Sequence, residues 1–220
     1  YTLVYTLSLH DALPIWFSDD LVDWRQYENN PIITVQTDNA LANASILPGP
    51  DDPPVGMYVR DLRRIAGVWH ALVQWRGDHA RTDWSRMTVM QSTGDLTGPW
   101  SFRNVCIAPA QASDWFNTNG NLNWSQPVQA AGRWYAACQN GVAATHSNNT
   151  AIGMVYSDDY VHWHEFDNPV TDPLRRPDGS PVVASQQFLL PPEHNQPWRI
   201  LLGARGTHGP RYMYRIEPTS

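Results

Sequence analysis

Apolar and polar residues alternate along the chain in short runs, each bounded by turn-forming residues, a pattern of many short strands. Gly67-Val68-Trp69-His70-Ala71-Leu72-Val73-Gln74-Trp75 reads as a turn followed by an alternating strand. Gly132-Arg133-Trp134-Tyr135-Ala136-Ala137-Cys138 repeats it, and Pro197-Trp198-Arg199-Ile200-Leu201-Leu202-Gly203 repeats it again. Trp69, Trp134 and Trp198 therefore recur at intervals of 65 and 64 residues. A second pattern keeps nearly the same phase. Phe17-Ser18-Asp19-Asp20-Leu21-Val22-Asp23-Trp24 matches Tyr156-Ser157-Asp158-Asp159-Tyr160-Val161-His162-Trp163, with a weaker copy at Ser92-Thr93-Gly94-Asp95-Leu96-Thr97-Gly98-Pro99-Trp100. Each unit thus orders an inner strand, a tight turn, a Trp-bearing strand, a loop, a third strand and a hairpin into an outer strand.

Four-stranded units repeated in this way predict an all-β propeller, and missing the repeat would misassign the whole fold. Blade one is expected only as its outer edge, from Trp16 to about Ile33. Blade two runs from about Met57 to Ile107 and blade three from about Asn123 to Val170. Blade four begins near Val182 and ends at its third strand, Arg211 to Ile216. The expectation is an incomplete ring with about three blades present. A complete small β-sandwich would also give short, regularly spaced strands, but it has no reason to restate one turn and one hairpin three times.

Composition sharpens this picture. Eleven Trp, 18 Pro and 14 Gly in 220 residues fit a turn-rich, helix-poor chain, and the Trp content also suits ring stacking on sugars. The net charge of −6 and a charged fraction of only 16% weigh against nucleic acid as a partner. All 15 basic residues are Arg, which removes phosphate-loop, Schiff-base and kinase chemistries that need lysine. Cys106 and Cys138 read as two unpaired thiols, too few for a multi-cysteine metal site. No apolar run is long enough to span a membrane as a helix.

Residues 1–15, YTLVYTLSLHDALPI, resemble the translation of a sequencing-adapter read-through, and the chain changes character at Trp16. They are set aside from the fold reasoning, and residues 16–220 are read as the native partial propeller domain. On this reading the native N-terminus has been replaced, and with it any export signal.

The segments Trp16-Phe17-Ser18-Asp19-Asp20-Leu21-Val22-Asp23-Trp24-Arg25, Thr97-Gly98-Pro99-Trp100-Ser101-Phe102 and Gly132-Arg133-Trp134-Tyr135-Ala136 resemble the five-bladed propeller glycoside hydrolases of family 43 and family 32. The resemblance implies an extracellular or periplasmic enzyme that hydrolyses O-glycosyl bonds in poly- or oligosaccharides, of the arabinofuranosidase, xylosidase or fructosidase type. It also implies a site at the central opening, formed by inner-strand starts and the loops after the second strands. Such chemistry needs paired carboxylates, one to protonate the leaving oxygen and one to attack carbon or activate water.

Asp61, in Val59-Arg60-Asp61-Leu62, lies eight residues before Trp69, at the expected start of the blade-two inner strand, and is the leading catalytic candidate. The segment resembles the Arg-Asp-Pro motif of family 32, with Leu62 in place of proline. Otherwise Asp61 is an exposed turn residue paired with Arg60 or Arg63. The equivalent count from Trp134 reaches Gln126, where family enzymes place a general-acid glutamate near, and an amide cannot replace a carboxylic acid as proton donor. Asp114 is a weak substitute, and Glu193 belongs on the opposite rim. The loops after the Trp strands repeat Arg76-Gly77-Asp78-His79 as Arg205-Gly206-Thr207-His208, with His146 at a comparable place in blade three. Arg60, Arg76, Asp78, His79, Gln126, His146, Arg205 and His208 are therefore expected to line a sugar pocket, or else to sit in solvent around turns that need glycine. Trp124 and Trp84 are the stacking candidates, while Trp69, Trp134 and Trp198 are expected to pack between blades. Asp19, Asp20, Asp158 and Asp159 read as hairpin hydrogen-bonders, and Arg63-Arg64 as solvated surface. No cofactor is expected; a structural calcium near His146 is all the resemblance allows. Two alternatives stay open: a non-catalytic carbohydrate-binding propeller, and a sialidase-like propeller drawing on Arg60, Arg76 and Arg205.

Overall fold

The computed structural model describes residues 2–3, 12–13, 16–20, 22–34, 56–76, 85–107, 123–140, 151–167, 170, 179, 183–192, 197–205 and 212–216. All regular elements among them are β-strands, and strand pairing is antiparallel throughout. The chain divides into two compact units, one of Tyr1–Thr82 with Arg86–Val105 and one of Asp83–Ser85 with Cys106–Ser220.

In the first unit, β1 (Thr2–Leu3), β3 (Trp16–Ser18) and β4 (Arg25–Gln26) form a three-stranded sheet, while β2 (Ala12–Leu13) pairs with β5 (Ile33–Thr34). The first fifteen residues thus contribute two two-residue strands. Blade two is a four-stranded meander of β6 (Gly56–Ile65), β7 (Val68–Arg76), β8 (Ser85–Asp95) and β9 (Gly98–Val105). Its core holds Ala71, Leu72, Val73, Trp75, Val89 and Met90, with the Trp75 indole donating to Thr88 Oγ1 at 2.8 Å.

In the second unit, blade three runs from β10 (Asn123–Trp124) and β11 (Val128–Ala130), both paired with β12 (Arg133–Asn140), to β13 (Ala151–Ser157) and β14 (His164–Glu165). Blade four is β15 (Val183–Leu190), β16 (Arg199–Arg205) and β17 (Tyr212–Ile216). The two blades share an apolar cluster of Ala137, Ile152, Leu189, Ile200 and Leu202, against which Tyr135 and Trp198 pack with ring centroids 4.9 Å apart. Trp198 is thus an inter-blade residue as expected. Trp134 packs edge-on against Tyr160 of its own blade at 5.2 Å, where the hairpin that carries Tyr160 folds back over it.

The repeats seen in sequence are repeats of backbone geometry. Ala66-Gly67 and Ala131-Gly132 turn their hairpins with positive φ at both positions, 48° and 86° in one and 49° and 81° in the other. That is the turn whose twist matches two flanking strands, and glycine takes the second position at no steric cost. The Ser-x-Asp hairpins are copies too. Asp20 Oδ1 accepts from the amides of Val22 and Asp23 at 2.8 Å each, and Asp159 Oδ1 accepts from those of Val161 and His162 at 2.8 Å each. Trp163 closes its loop by donating to the Tyr160 carbonyl at 2.9 Å; Trp100 does the same to Leu96 at 3.1 Å in blade two.

Candidate functional site

Each inner strand carries one residue more than its partner. In blade two the pairing steps from Val59↔Val73 to Asp61↔Leu72, leaving Arg60 in a bulge. In blade three Ser125, Gln126 and Pro127 face only Ala136 and Ala137, between the pairs Trp124↔Cys138 and Val128↔Tyr135. In blade four the extra residue is Ser185. A bulge re-aims the side chains beside it, which is why such irregularities accompany sites.

The blade-two bulge builds a polar face on a largely half-buried strand. Arg60 lies 5.5 Å over the Tyr58 ring and donates to Gln74 Oε1 through Nε at 2.8 Å and again through Nη2. Asp61 is only 1% exposed and forms an ion pair with Arg63, whose Nε donates to Asp61 Oδ2. Further along, His70 Nδ1 stands 3.0 Å from the Val68 carbonyl and Nε2 stands 2.5 Å from the Gln91 amide nitrogen. The carbonyl can only accept, so Nδ1 carries the proton and Nε2 accepts from Gln91. Buried polar groups must be paired in this way, because an orphan costs about 1–3 kcal/mol.

These positions correct three expectations. Asp61 is neither an exposed turn residue nor at the start of the inner strand: β6 begins five residues earlier, and Asp61 stands at mid-strand beside the bulge. Arg63 is no solvated surface residue, since it is the partner of Asp61; Arg64 remains exposed, donating to the Gly67 carbonyl at 3.1 Å. Trp124 is 3% exposed and packs edge-on against Trp163 at 5.3 Å, so it belongs to the core of blade three and presents no ring face for stacking.

Gln126 sits in the break between β10 and β11 and is exposed. Beside it Ser125 fastens the strands, accepting from the Ala137 amide at 2.9 Å through Oγ. Residues 123–130 hold no carboxylate. Arg76 and Arg205 are the last residues of β7 and β16, at the open end of each hairpin. Asp78, His79, His146 and His208 lie outside the described residues, as do Asp114, Glu193 and Trp84. Sequence reasoning missed Gln139, the penultimate residue of β12, which is 8% exposed and whose Oε1 has no hydrogen-bond partner among the described residues. Its signal was the row Tyr135–Ala137–Gln139, where alternation toward the core ends on an amide.

The hairpin aspartates are accounted for by structure. Backbone donors led by Asp23 and Val22 lower the Asp20 pKa. At Asp159 partial burial acts upward, but the His162 side chain and the His162 and Val161 amides outweigh it and hold the carboxyl at about 2. Asp158 pairs with Arg133 and Asp19 with Arg25. Cys106 and Cys138 are free and buried, with burial pushing both thiols upward. Among the described residues no cluster of His, Cys, Asp and Glu could hold a metal ion.

The blades and their bulged inner strands define an all-β partial propeller. No protein-family model matches the chain, and no curated protein matches it by sequence. Solved structures do match. A family 32 β-fructofuranosidase from Bombyx mori in complex with sucrose is 13% identical, with a TM-score of 0.53 over 94% of this chain and 40% of that one. A fructan 1-exohydrolase from Cichorium intybus in complex with 1-kestose is also 13% identical, with a TM-score of 0.53 over 97% of this chain and 38% of that one. An N-acetylgalactosamine deacetylase from F. plautii in complex with blood group B trisaccharide is 15% identical, with a TM-score of 0.52 over 91% of this chain and 56% of that one. The chain therefore spans between about two fifths and just over half of the length of these proteins, and at such identities the likeness is one of fold.

Proposed function

We propose that the protein acts on carbohydrate as a propeller glycoside hydrolase, cleaving O-glycosyl bonds of poly- or oligosaccharides, with Asp61 as one of its acidic groups. The observation that carries this reading is Asp61 itself. A carboxylate buried on the inner strand, beside a bulge and against a guanidinium, keeps its place and can stabilise positive charge developing on a sugar ring through its field, without touching the ring. Glycoside cleavage also needs a proton donor. No residue of β10, β11 or the break between them can serve, so that group comes from another segment. A polymeric substrate would place the protein outside the cytoplasm, extracellular or periplasmic.

A second reading is a propeller that binds sugar without cleaving it, and the exposed, neutral Gln126 at the blade-three bulge favours it. Incubating the protein with sucrose, 1-kestose, arabino-oligosaccharides and xylotriose separates the two. Released monosaccharide supports hydrolysis. Saturable binding without release supports the second reading, and neither binding nor release with any of them overturns both.

A further inference from the structure

We infer that the ligand of this site is an acidic glycan, a sugar chain that carries a carboxylate, and that Arg60 recognises it; the inference rests on the carbohydrate reading above. His70, Leu72 and Gln74 alternate onto one face of β7. The cross-strand pairs Arg63↔His70, Asp61↔Leu72 and Tyr58↔Gln74 put Arg63, Asp61 and Tyr58 on that same face. The bulge adds Arg60 to the row, since its guanidinium reaches both the Tyr58 ring and Gln74 Oε1. Asp61 and Arg63 offset one another as an ion pair. Arg60 is gripped instead by an amide and a phenol ring, which fix the guanidinium in place without cancelling its charge. A glutamate at position 74 would have cancelled it. Gln74 is 1% exposed and out of reach, whereas Arg60 is half-buried and open in part to solvent.

The charge around Arg60 points the same way. Residues 56–76, the whole inner hairpin, hold four Arg and one acidic residue, Asp61. Residues 56–107 hold seven Arg and four Asp, so blade two carries +3 in a chain whose net charge is −6. A positive field of this kind draws anions and turns cations away. A guanidinium meets a carboxylate through charge-assisted N–H···O bonds, which are roughly twice as strong as those to a neutral hydroxyl. A uronic acid supplies that carboxylate on a sugar ring. It is a recognition group here and takes no part in bond cleavage.

Titration calorimetry on matched pairs tests the inference: galacturonic acid trimer against galactotriose, and xylotriose bearing one glucuronic acid branch against plain xylotriose. In at least one pair the acidic member should bind about tenfold tighter or more at low salt, and the ratio should shrink as salt is raised. Arg60→Gln should bring the ratio to about one, while Arg60→Lys, which keeps the charge, should retain most of it. Arg64→Gln is the control. It removes the same charge from an exposed residue that donates to the Gly67 carbonyl and, by register, lies on the opposite face of β6. It should leave the ratio within about twofold. Thermal melting checks that each variant is folded; were Arg60→Gln to unfold, loss of the preference in high salt and its persistence in Arg64→Gln would carry the same test. Equal affinity for both members of each pair overturns the acidic ligand and leaves the carbohydrate reading standing. A preference that survives in Arg60→Gln, or that Arg64→Gln abolishes as fully, overturns the assignment to Arg60. Binding of no member of either pair overturns the carbohydrate reading and this inference together.

Discussion

The inner strands of blades two and three are the same device put to different use. Both end in an Ala-Gly turn with positive φ, both carry one extra residue, and in both the residue eight before the repeated Trp stands at the bulge. In blade two that residue is a buried aspartate tied to Arg63; in blade three it is an exposed glutamine. Repetition has copied the scaffold, because turn chemistry and strand register depend on residues close in sequence. It has not copied the chemistry, which depends on what covers each strand.

Substitution at the two bulges should separate them most. Asp61→Ala leaves Arg63 without its carboxylate, and since Arg63 is about a quarter exposed the loss falls somewhat short of a fully buried pair, about 2–4 kcal/mol. Gln126→Ala, at an exposed position, should stay within about 0.5 kcal/mol. Denaturant unfolding of the two variants checks both. Equal losses would mean that the bulge, and not the carboxylate, carries the stability.

A smaller effect distinguishes the two Ser-x-Asp hairpins. Asp159 has a histidine partner where blade one places Asp23, with Nδ1 2.6 Å from Asp159 Oδ2. Its folded pKa, about 2, lies below the ordinary aspartate value of 3.8. A depressed carboxylate contributes stability present above its unfolded pKa, and that contribution is lost as pH falls from about 4 toward 2. Because the group is half-exposed, solvent screening holds the contribution below about 1 kcal/mol. Asp159→Asn should therefore flatten the thermal midpoint between pH 4 and pH 2 relative to the unaltered protein. An unchanged profile would show that ionisation of Asp159 contributes nothing to stability in this range.

The same contrast explains what the sequence made legible. Blade boundaries, the Ala-Gly turns and the Asp20 and Asp159 loops follow from short-range patterns, and the strands fall where those patterns predict. Asp61 could be singled out but not its burial, since β6 runs five residues further back than the count from Trp69 implies. Trp124 reads as a pocket aromatic until Trp163, at the far side of the blade, closes on it. Gln139 was invisible for a similar reason: an amide at a strand end is ordinary, and only the lack of a partner for its Oε1 among the described residues marks it.

The central claim is that Asp61, and not its counterpart Gln126, serves the reaction. Steady-state hydrolysis by Asp61→Asn and Gln126→Ala, on whichever sugar the unaltered protein cleaves, tests it most directly. Asp61→Asn keeps the shape and removes the charge, and kcat should fall by about a hundredfold or more while Gln126→Ala keeps kcat within a few-fold. An Asp61→Asn protein that turns over at the unaltered rate would contradict the account.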